Sequence, residues 1–202
     1  GFPKSYTMRE VRVALPMRLP ALGYAAFTVR AGQKDIPTRH PAGPGLAVSE
    51  RSLENEFLAV TVEPNGSLTV TDKRAGQTYT RWLTFEDCAD IGDGWNFGPA
   101  SNDRRFTSTA SAASAAIAFD GPQMAALRIR SVMELPQAFD FAANTRQERF
   151  DRLVIESTVT LRAGSAHLEV ESVVHNTCRD HRLRVLFPSG ATGAQTYLAD
   201  SP

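Results

Sequence analysis

Alternation of apolar and polar residues, interrupted by a turn dipeptide, constrains this chain more than any other feature. Glu56–Val62 reads E-F-L-A-V-T-V, Glu63-Pro64-Asn65-Gly66 intervenes, and Ser67–Asp72 resumes as S-L-T-V-T-D. A period of two places every second side chain on one face, the pattern of a strand with one side buried. Asn-Gly tolerates positive φ at both central positions of a two-residue turn, so the two runs are expected to close as a tight antiparallel hairpin. A second turn at Lys73-Arg74-Ala75-Gly76 leads into Gln77–Phe85, which predicts a third strand in succession.

The same pattern recurs downstream. Met124–Leu135 is a long strand candidate with Ala126, Ile129 and Val132 among its apolar positions. Leu153–Leu161 sets Leu153, Ile155, Val159 and Leu161 against Val154, Glu156, Thr158 and Thr160, with one expected slip near Ser157. Gly164-Ser165 turns it into His167–His175, where Leu168, Val170 and Ser172 face one way and Glu169, Glu171 and Val173 the other. Arg182–Phe187 closes the series. Nowhere do apolar residues keep helical spacing for three capped turns, and the Ala/Ser-rich Thr107–Ala118 sits between strands and reads as strand or loop. The expectation is an all-β fold, a β-sandwich of antiparallel strands.

Residues 31–49 carry Pro37, Pro41, Pro44, Gly32, Gly43 and Gly45 with almost no apolar run, and so read as a linker. Before them, Val11–Leu15 and Tyr24–Arg30 are two short strand candidates. Two strands do not make a stable domain, so residues 1–30 are expected to end a preceding small β-domain, or else to pack onto the main sandwich, with 50–202 forming the main body. The chain stops at Tyr197–Pro202 with no terminating signal, which predicts a fragment of a larger protein.

Twenty-two basic and twenty-two acidic residues cancel, and no concentrated basic face replaces the missing field, so nucleic acid is not an expected partner. No apolar stretch approaches the roughly 18–20 residues of a membrane helix, and Gly1–Glu10 lacks the apolar core of a signal peptide. A cytoplasmic location without membrane contact is the expectation. Cys88 and Cys178 are then two free, buried thiols rather than a bridge.

Few residues offer chemistry. His167 and His175 stand eight apart in one strand, about 26 Å at full extension, and cannot share an ion. His40 lies in the linker. His175 and His181 flank the turn Asn176–Asp180, where polar side chains usually bond their own backbone. No metal site and no catalytic residue is expected within the chain. There is no G-x-S-x-G elbow, phosphate loop or dinucleotide fingerprint. Glu86, Asp87, Asp90 and Asp93 form an acidic cluster. Two carboxylates can serve as acid and base for glycoside hydrolysis, but a solvated loop between strands is the favoured reading. Within Asp87–Phe106, Gly92, Gly94, Gly98 and Pro99 impose an irregular, ordered loop that displays Trp95 and Phe97 around Asn96. An aromatic ring beside amide and carboxylate groups holds a sugar by stacking and hydrogen bonds. Equally, such rings plug a core beneath a long loop. Asp93, Trp95, Asn96 and Phe97 are the candidate substrate-binding residues.

Four segments in order resemble the region after the catalytic domain in glycoside hydrolase family 38, the α-mannosidases. They are Leu19-Pro20-Ala21-Leu22-Gly23-Tyr24, Leu53–Gly76 with its L-E-N opening and D-K-R-A-G close, Gly94-Trp95-Asn96-Phe97-Gly98-Pro99, and Asp180-His181-Arg182-Leu183-Arg184-Val185-Leu186-Phe187-Pro188. The match is closest to bacterial members, including those similar to mannosylglycerate hydrolases. The resemblance implies a β-sandwich forming the first part of a galactose-mutarotase-like supersandwich. It also implies a partner, an N-terminal catalytic domain absent from this chain, which would hold zinc and an aspartate nucleophile for a retaining mechanism. Such members place a tyrosine in the sugar pocket at the loop where Trp95 stands; indole keeps the stacking face and an N–H donor but lacks the phenolic hydroxyl.

The expected function is therefore to pack on and shape the pocket of a zinc-dependent α-mannosidase acting on a mannose-containing substrate, the fragment alone being inactive. A non-catalytic carbohydrate-binding module and a structural β-domain mediating assembly are the alternatives. Open strand edges further predict self-association.

Overall fold

A computed structural model describes residues 17–28, 30 and 45–193. Chain contacts divide the protein into Gly1–Gly43 and Pro44–Pro202. In the first unit the described residues make a turn closed by the Gly23 N–H donating to the Pro20 carbonyl at 3.3 Å. The strand expected at Tyr24–Arg30 is not observed: Tyr24–Thr28 and Arg30 are irregular, and Tyr24 and Phe27 are exposed. A strand needs a ladder partner, and the described part of this unit supplies none. Val11–Leu15, His40 and Tyr197–Pro202 lie outside the described residues.

The described residues of the second unit form strands, with one turn of 3-10 helix at Ser108–Ala110. Within the stretch that Pro and Gly mark as a linker, Ala47–Ser49 forms β1. It joins β2 (Ser52–Glu54), β3 (Leu58–Val62), β4 (Leu68–Asp72) and β5 (Gln77–Trp82) in a five-stranded antiparallel sheet in sequence order. A three-stranded sheet follows the order β14-β6-β7, from β6 (Thr84–Ala89), β7 (Phe106–Thr107) and β14 (His181–Leu186). A four-stranded sheet runs β13-β12-β9-β8, from β8 (Ala113–Phe119), β9 (Met124–Pro136), β12 (Phe150–Arg162) and β13 (Leu168–His175). The short hairpin β10 (Phe139–Asp140) and β11 (Thr145–Arg146) completes the set.

The alternation is spent as expected. Leu53, Leu58, Val60, Val62, Leu68 and Val70 of the first sheet share one core with Leu127, Ile129, Met133, Leu135, Leu153, Ile155, Val159 and Leu161 of the third. Two sheets buried face to face make a β-sandwich. No slip occurs at Ser157: the β9–β12 ladder pairs without a break from Phe150↔Pro136 to Arg162↔Met124, and Ser157 keeps an inward position. Its hydroxyl is satisfied there by Ser172 Oγ at 2.8 Å, so a polar residue interrupts the apolar spelling without interrupting the face.

The first hairpin closes differently from the two-residue turn anticipated. Glu63 N–H donates to the Ser67 carbonyl at 2.8 Å and Gly66 N–H to the Glu63 carbonyl at 2.9 Å, leaving Pro64-Asn65-Gly66 as a three-residue loop. Gly66 alone is left-handed, with φ of 85°. Pro64 holds the φ near −65° that a type I turn wants at its first central position, and the glycine then takes the left-handed bulge. A Cβ on Gly66 would lie 2.8 Å from the Ala113 Cβ, so both space and backbone require glycine.

The third strand also ends early. Val70 pairs with Tyr79 but Leu68 with Trp82, one residue out of step, and Arg81 and Leu83 both adopt φ of 60°. This bulge turns the chain out of the first sheet, and β6 continues in another. Thr84 Oγ donates to the Arg81 carbonyl at 2.8 Å, and Trp82 Nε1–H to the Pro188 carbonyl at 2.8 Å, holding a corner that costs about 1–2 kcal/mol for each left-handed non-glycine residue.

Asn55, the N of L-E-N, ties the sandwich together across the chain. Its Oδ1 accepts from the Phe57 and Leu58 N–H groups at 2.9 and 2.7 Å. Its Nδ2 donates to the carbonyls of Arg162 and Ser165 at 2.7 and 2.8 Å. All four hydrogen-bonding positions of the buried amide are filled, linking the β2–β3 corner to the β12–β13 turn.

Candidate functional site

Strand β6 delivers the loop that carries the candidate residues. Asp90 N–H donates to the Asp180 carbonyl at 3.0 Å, and Ala89 N–H to Asp103 Oδ1 at 3.0 Å, anchoring both ends of the loop. Inside it, Asp90 Oδ1 accepts from the N–H groups of Gly92 and Gly98 at 3.1 and 2.9 Å, and Ile91 N–H donates to the Gly98 carbonyl at 2.9 Å. This crossing is so close that a Cβ on Gly92 would sit 1.9 Å from the Asn96 carbonyl oxygen, and one on Gly98 2.4 Å from the Gly92 nitrogen. Close approach therefore demands glycine at both positions. Gly94, by contrast, faces open space.

A second aspartate shapes the tip. Asp93 Oδ1 accepts from the Trp95 N–H at 2.9 Å, from the Asn96 N–H at 2.7 Å and from Asn96 Nδ2 at 3.3 Å. The Trp95 and Asn96 backbone donors hold its carboxyl below the ordinary carboxylate range. The structure thus brings Asp93, Trp95, Asn96 and Phe97 together in one turn. Trp95 is 93% exposed and Phe97 44%, so neither ring plugs the core. Phe97 is backed by the guanidinium of Arg182, 4.5 Å from its ring centroid, while Trp95 stands free at the tip.

Of the acidic cluster read as a solvated loop, Asp90 and Asp93 lie in the loop and Glu86 and Asp87 do not. Glu86 and Asp87 lie in β6, on opposite faces. Glu86 is paired with Arg184. Asp87 is wholly buried and meets two donors: Arg146 Nη1 at 2.5 Å from Oδ1, and His181 Nδ1 at 2.5 Å from Oδ2. The side chains of Arg146 and His181 are only 4% and 6% exposed. His181 Nε2 lies 3.1 Å from Asn176 Oδ1, an atom identified as the amide oxygen because the Cys178 N–H donates to it at 2.9 Å. Both nitrogens of the His181 ring are thus engaged. Burial raises the thiols of Cys88 and Cys178 above their ordinary values, and both are free.

Sequence reasoning did not find Arg146. It is presented by the β10–β11 hairpin, whose turn has Asp140 Oδ1 accepting from the Ala142 and Ala143 N–H groups at 2.9 and 3.0 Å and Asn144 left-handed at φ of 51°. That Asp-x-x-x-Asn spelling marks a turn; nothing in it marks the partner of Asp87. Among the described residues no three His, Cys, Asp or Glu side chains converge where a metal could sit. The described residues do not fit a zinc centre, and His181 is already engaged through both nitrogens.

Comparison with known proteins agrees with this architecture. Residues 53–201 match the model of the C-terminal domain of glycosyl hydrolases family 38. A protein of Halalkalibacterium halodurans described as "Putative mannosylglycerate hydrolase" is 31% identical over 93% of this chain and 22% of its own length. An alpha-mannosidase from Enterococcus faecalis superposes with a TM-score of 0.71 at 34% identity, over 74% of this chain and 19% of that one. A glycosyl hydrolase family 38 protein of the same organism gives 0.71 at 33%, over 76% and 20%. The chain spans about a fifth of the length of these relatives. It belongs to family 38 of the glycosyl hydrolases and carries their C-terminal domain.

Proposed function

We propose that this domain packs on the catalytic part of a zinc-dependent retaining α-mannosidase and supplies one wall of its sugar pocket, with Trp95 as the ring that meets the substrate. The observation that carries the reading is a nearly fully exposed indole on a tightly tied loop. A loop fixed by two aspartates and two obligatory glycines has no folding reason to hold an apolar ring in water. A stacking partner supplies one: the C–H face of a sugar covers the ring while Asn96 offers a neighbouring amide. Zinc and the nucleophile belong, in this reading, to the catalytic part. Sheet edges such as β13, where Val173 and Val174 are exposed, are assigned to self-association when the domain is alone.

The test is a titration of the domain with mannose and short α-mannosides, followed by tryptophan fluorescence, alongside Trp95→Ala. A saturable change that disappears in the variant is expected; a response of equal size in the variant removes Trp95 from the site. The domain is expected to leave aryl α-mannosides uncleaved with or without added zinc, and turnover by the purified chain would sink the assignment of chemistry elsewhere. Light scattering over a range of concentrations reads self-association, and a strict monomer throughout contradicts it.

A further inference from the structure

A buried guanidinium normally has all its N–H groups met, because an unmet charged donor away from water costs several kcal/mol. Arg146 does not. Nη1 reaches Asp87, but Nε and Nη2 have no hydrogen-bond partner among the described residues, and both are buried. These two nitrogens form the side-on fork of the guanidinium, the edge whose parallel N–H groups match the two oxygens of a carboxylate. Asp87 cannot fill that edge: its Oδ1 meets Nη1 and its Oδ2 is taken by His181 Nδ1, so the fork is left without an acceptor.

Arg146 lines a cleft of about 400 Å³ with Asn102, Arg104, Thr145 and Gln147. Arg104 is exposed and held over aromatic rings, its guanidinium 4.7 Å from the Phe106 centroid and 5.5 Å from that of Phe150; Arg146 sits 5.3 Å from Phe106. The cleft thus joins a fixed, buried guanidinium to a second one held only by stacking, with amide and hydroxyl side chains beside them. Glu148 also lines it.

We propose that this cleft is a carboxylate seat: one carboxylate docks bidentately on Nε and Nη2 of Arg146, and Arg104 swings from its rings to close over it. The proposal is independent of the sugar-contact role of Trp95. The carboxylate comes either from a small organic acid or from an acidic side chain of a protein segment, and the chemistry recognised is the same.

The test titrates the domain with sodium acetate and, separately, with a capped tripeptide bearing one aspartate, each against chloride at equal ionic strength. Melting temperature and the Arg146 Nε–H resonance are followed together. A saturable rise in melting temperature with a saturable shift of that resonance is expected. Arg146→Lys, which keeps the charge and loses the fork, and Arg104→Gln are each expected to weaken the response roughly tenfold or more, the worth of one charge-assisted hydrogen bond. A response to acetate alone assigns the seat to small acids; a response to the peptide, alone or with acetate, assigns it to a protein side chain. Effects no larger than those of chloride, or a rise in melting temperature with the Arg146 resonance unmoved, overturn the proposal whether or not the variants fold.

Discussion

Replacing one atom group of Asn55 tests how the sandwich is held. Asn55→Asp keeps the oxygen that accepts from Phe57 and Leu58 but turns the NH₂, which donates to Arg162 and Ser165 at 2.7 and 2.8 Å, into a carboxylate oxygen. Two hydrogen bonds worth about 1 kcal/mol each are lost, and two carbonyls are stranded at about 1–3 kcal/mol each, so the loss is about 4 kcal/mol or more. Domains of this kind hold only about 5–15 kcal/mol in total. With a urea slope of about 2 kcal/mol per molar, the midpoint should fall by roughly 2 M at neutral pH.

The pH dependence separates this mechanism from generic damage. A protonated carboxyl can donate one of the two lost bonds, so the native state of the variant favours the neutral form and the new group's folded pKa is raised. Such a group contributes its stability below the unfolded pKa, about 3.9, and loses it as pH rises through the folded value. The gap between wild type and Asn55→Asp should therefore widen from acid to neutral pH. For Asn55→Ala, which strands the same two carbonyls without adding a titrating group, it should stay level. Urea midpoints of all three proteins at matched pH values decide the matter. A shift under about 0.5 M at neutral pH, about 1 kcal/mol on the same slope, or a gap that does not change with pH, refutes the role given to Asn55.

Asp87→Asn should cost about 3–5 kcal/mol, because it leaves Arg146 buried without its counter-charge; a loss below about 1 kcal/mol in denaturant melts would show that the pair is better solvated than its burial indicates. Asp93, depressed by the Trp95 and Asn96 N–H groups, should hold the loop tip until pH falls through its lowered folded pKa. The stabilisation is complete above the unfolded value and lost toward acid. Amide resonances of Trp95 and Asn96 should accordingly titrate with an inflection below the ordinary 3.8. An inflection at or above that value would detach the carboxylate from the turn.

What could be read from the residues follows the range of the interactions. The strands from Glu56 to Asp72 and from Met124 to His175 were legible because period two is a local consequence of burying one face, and it survives a polar Ser157 whose hydroxyl is met by Ser172. The corner at Arg81–Leu83 was not, since both left-handed residues lack the glycine that usually announces such a bend. At the candidate site the local part was again visible: two aspartates and three glycines around Trp95 spell an ordered loop. Whether its rings fill a core or face water depends on what lies beneath them, and that is settled at long range. Asp87 is met by a residue 59 positions away and by another 94 away. The 93% exposure of Trp95 is likewise written in no window of neighbouring residues: Asp180, which anchors the start of the loop, and the partners of Asp87 in the strand that delivers it all lie far along the chain.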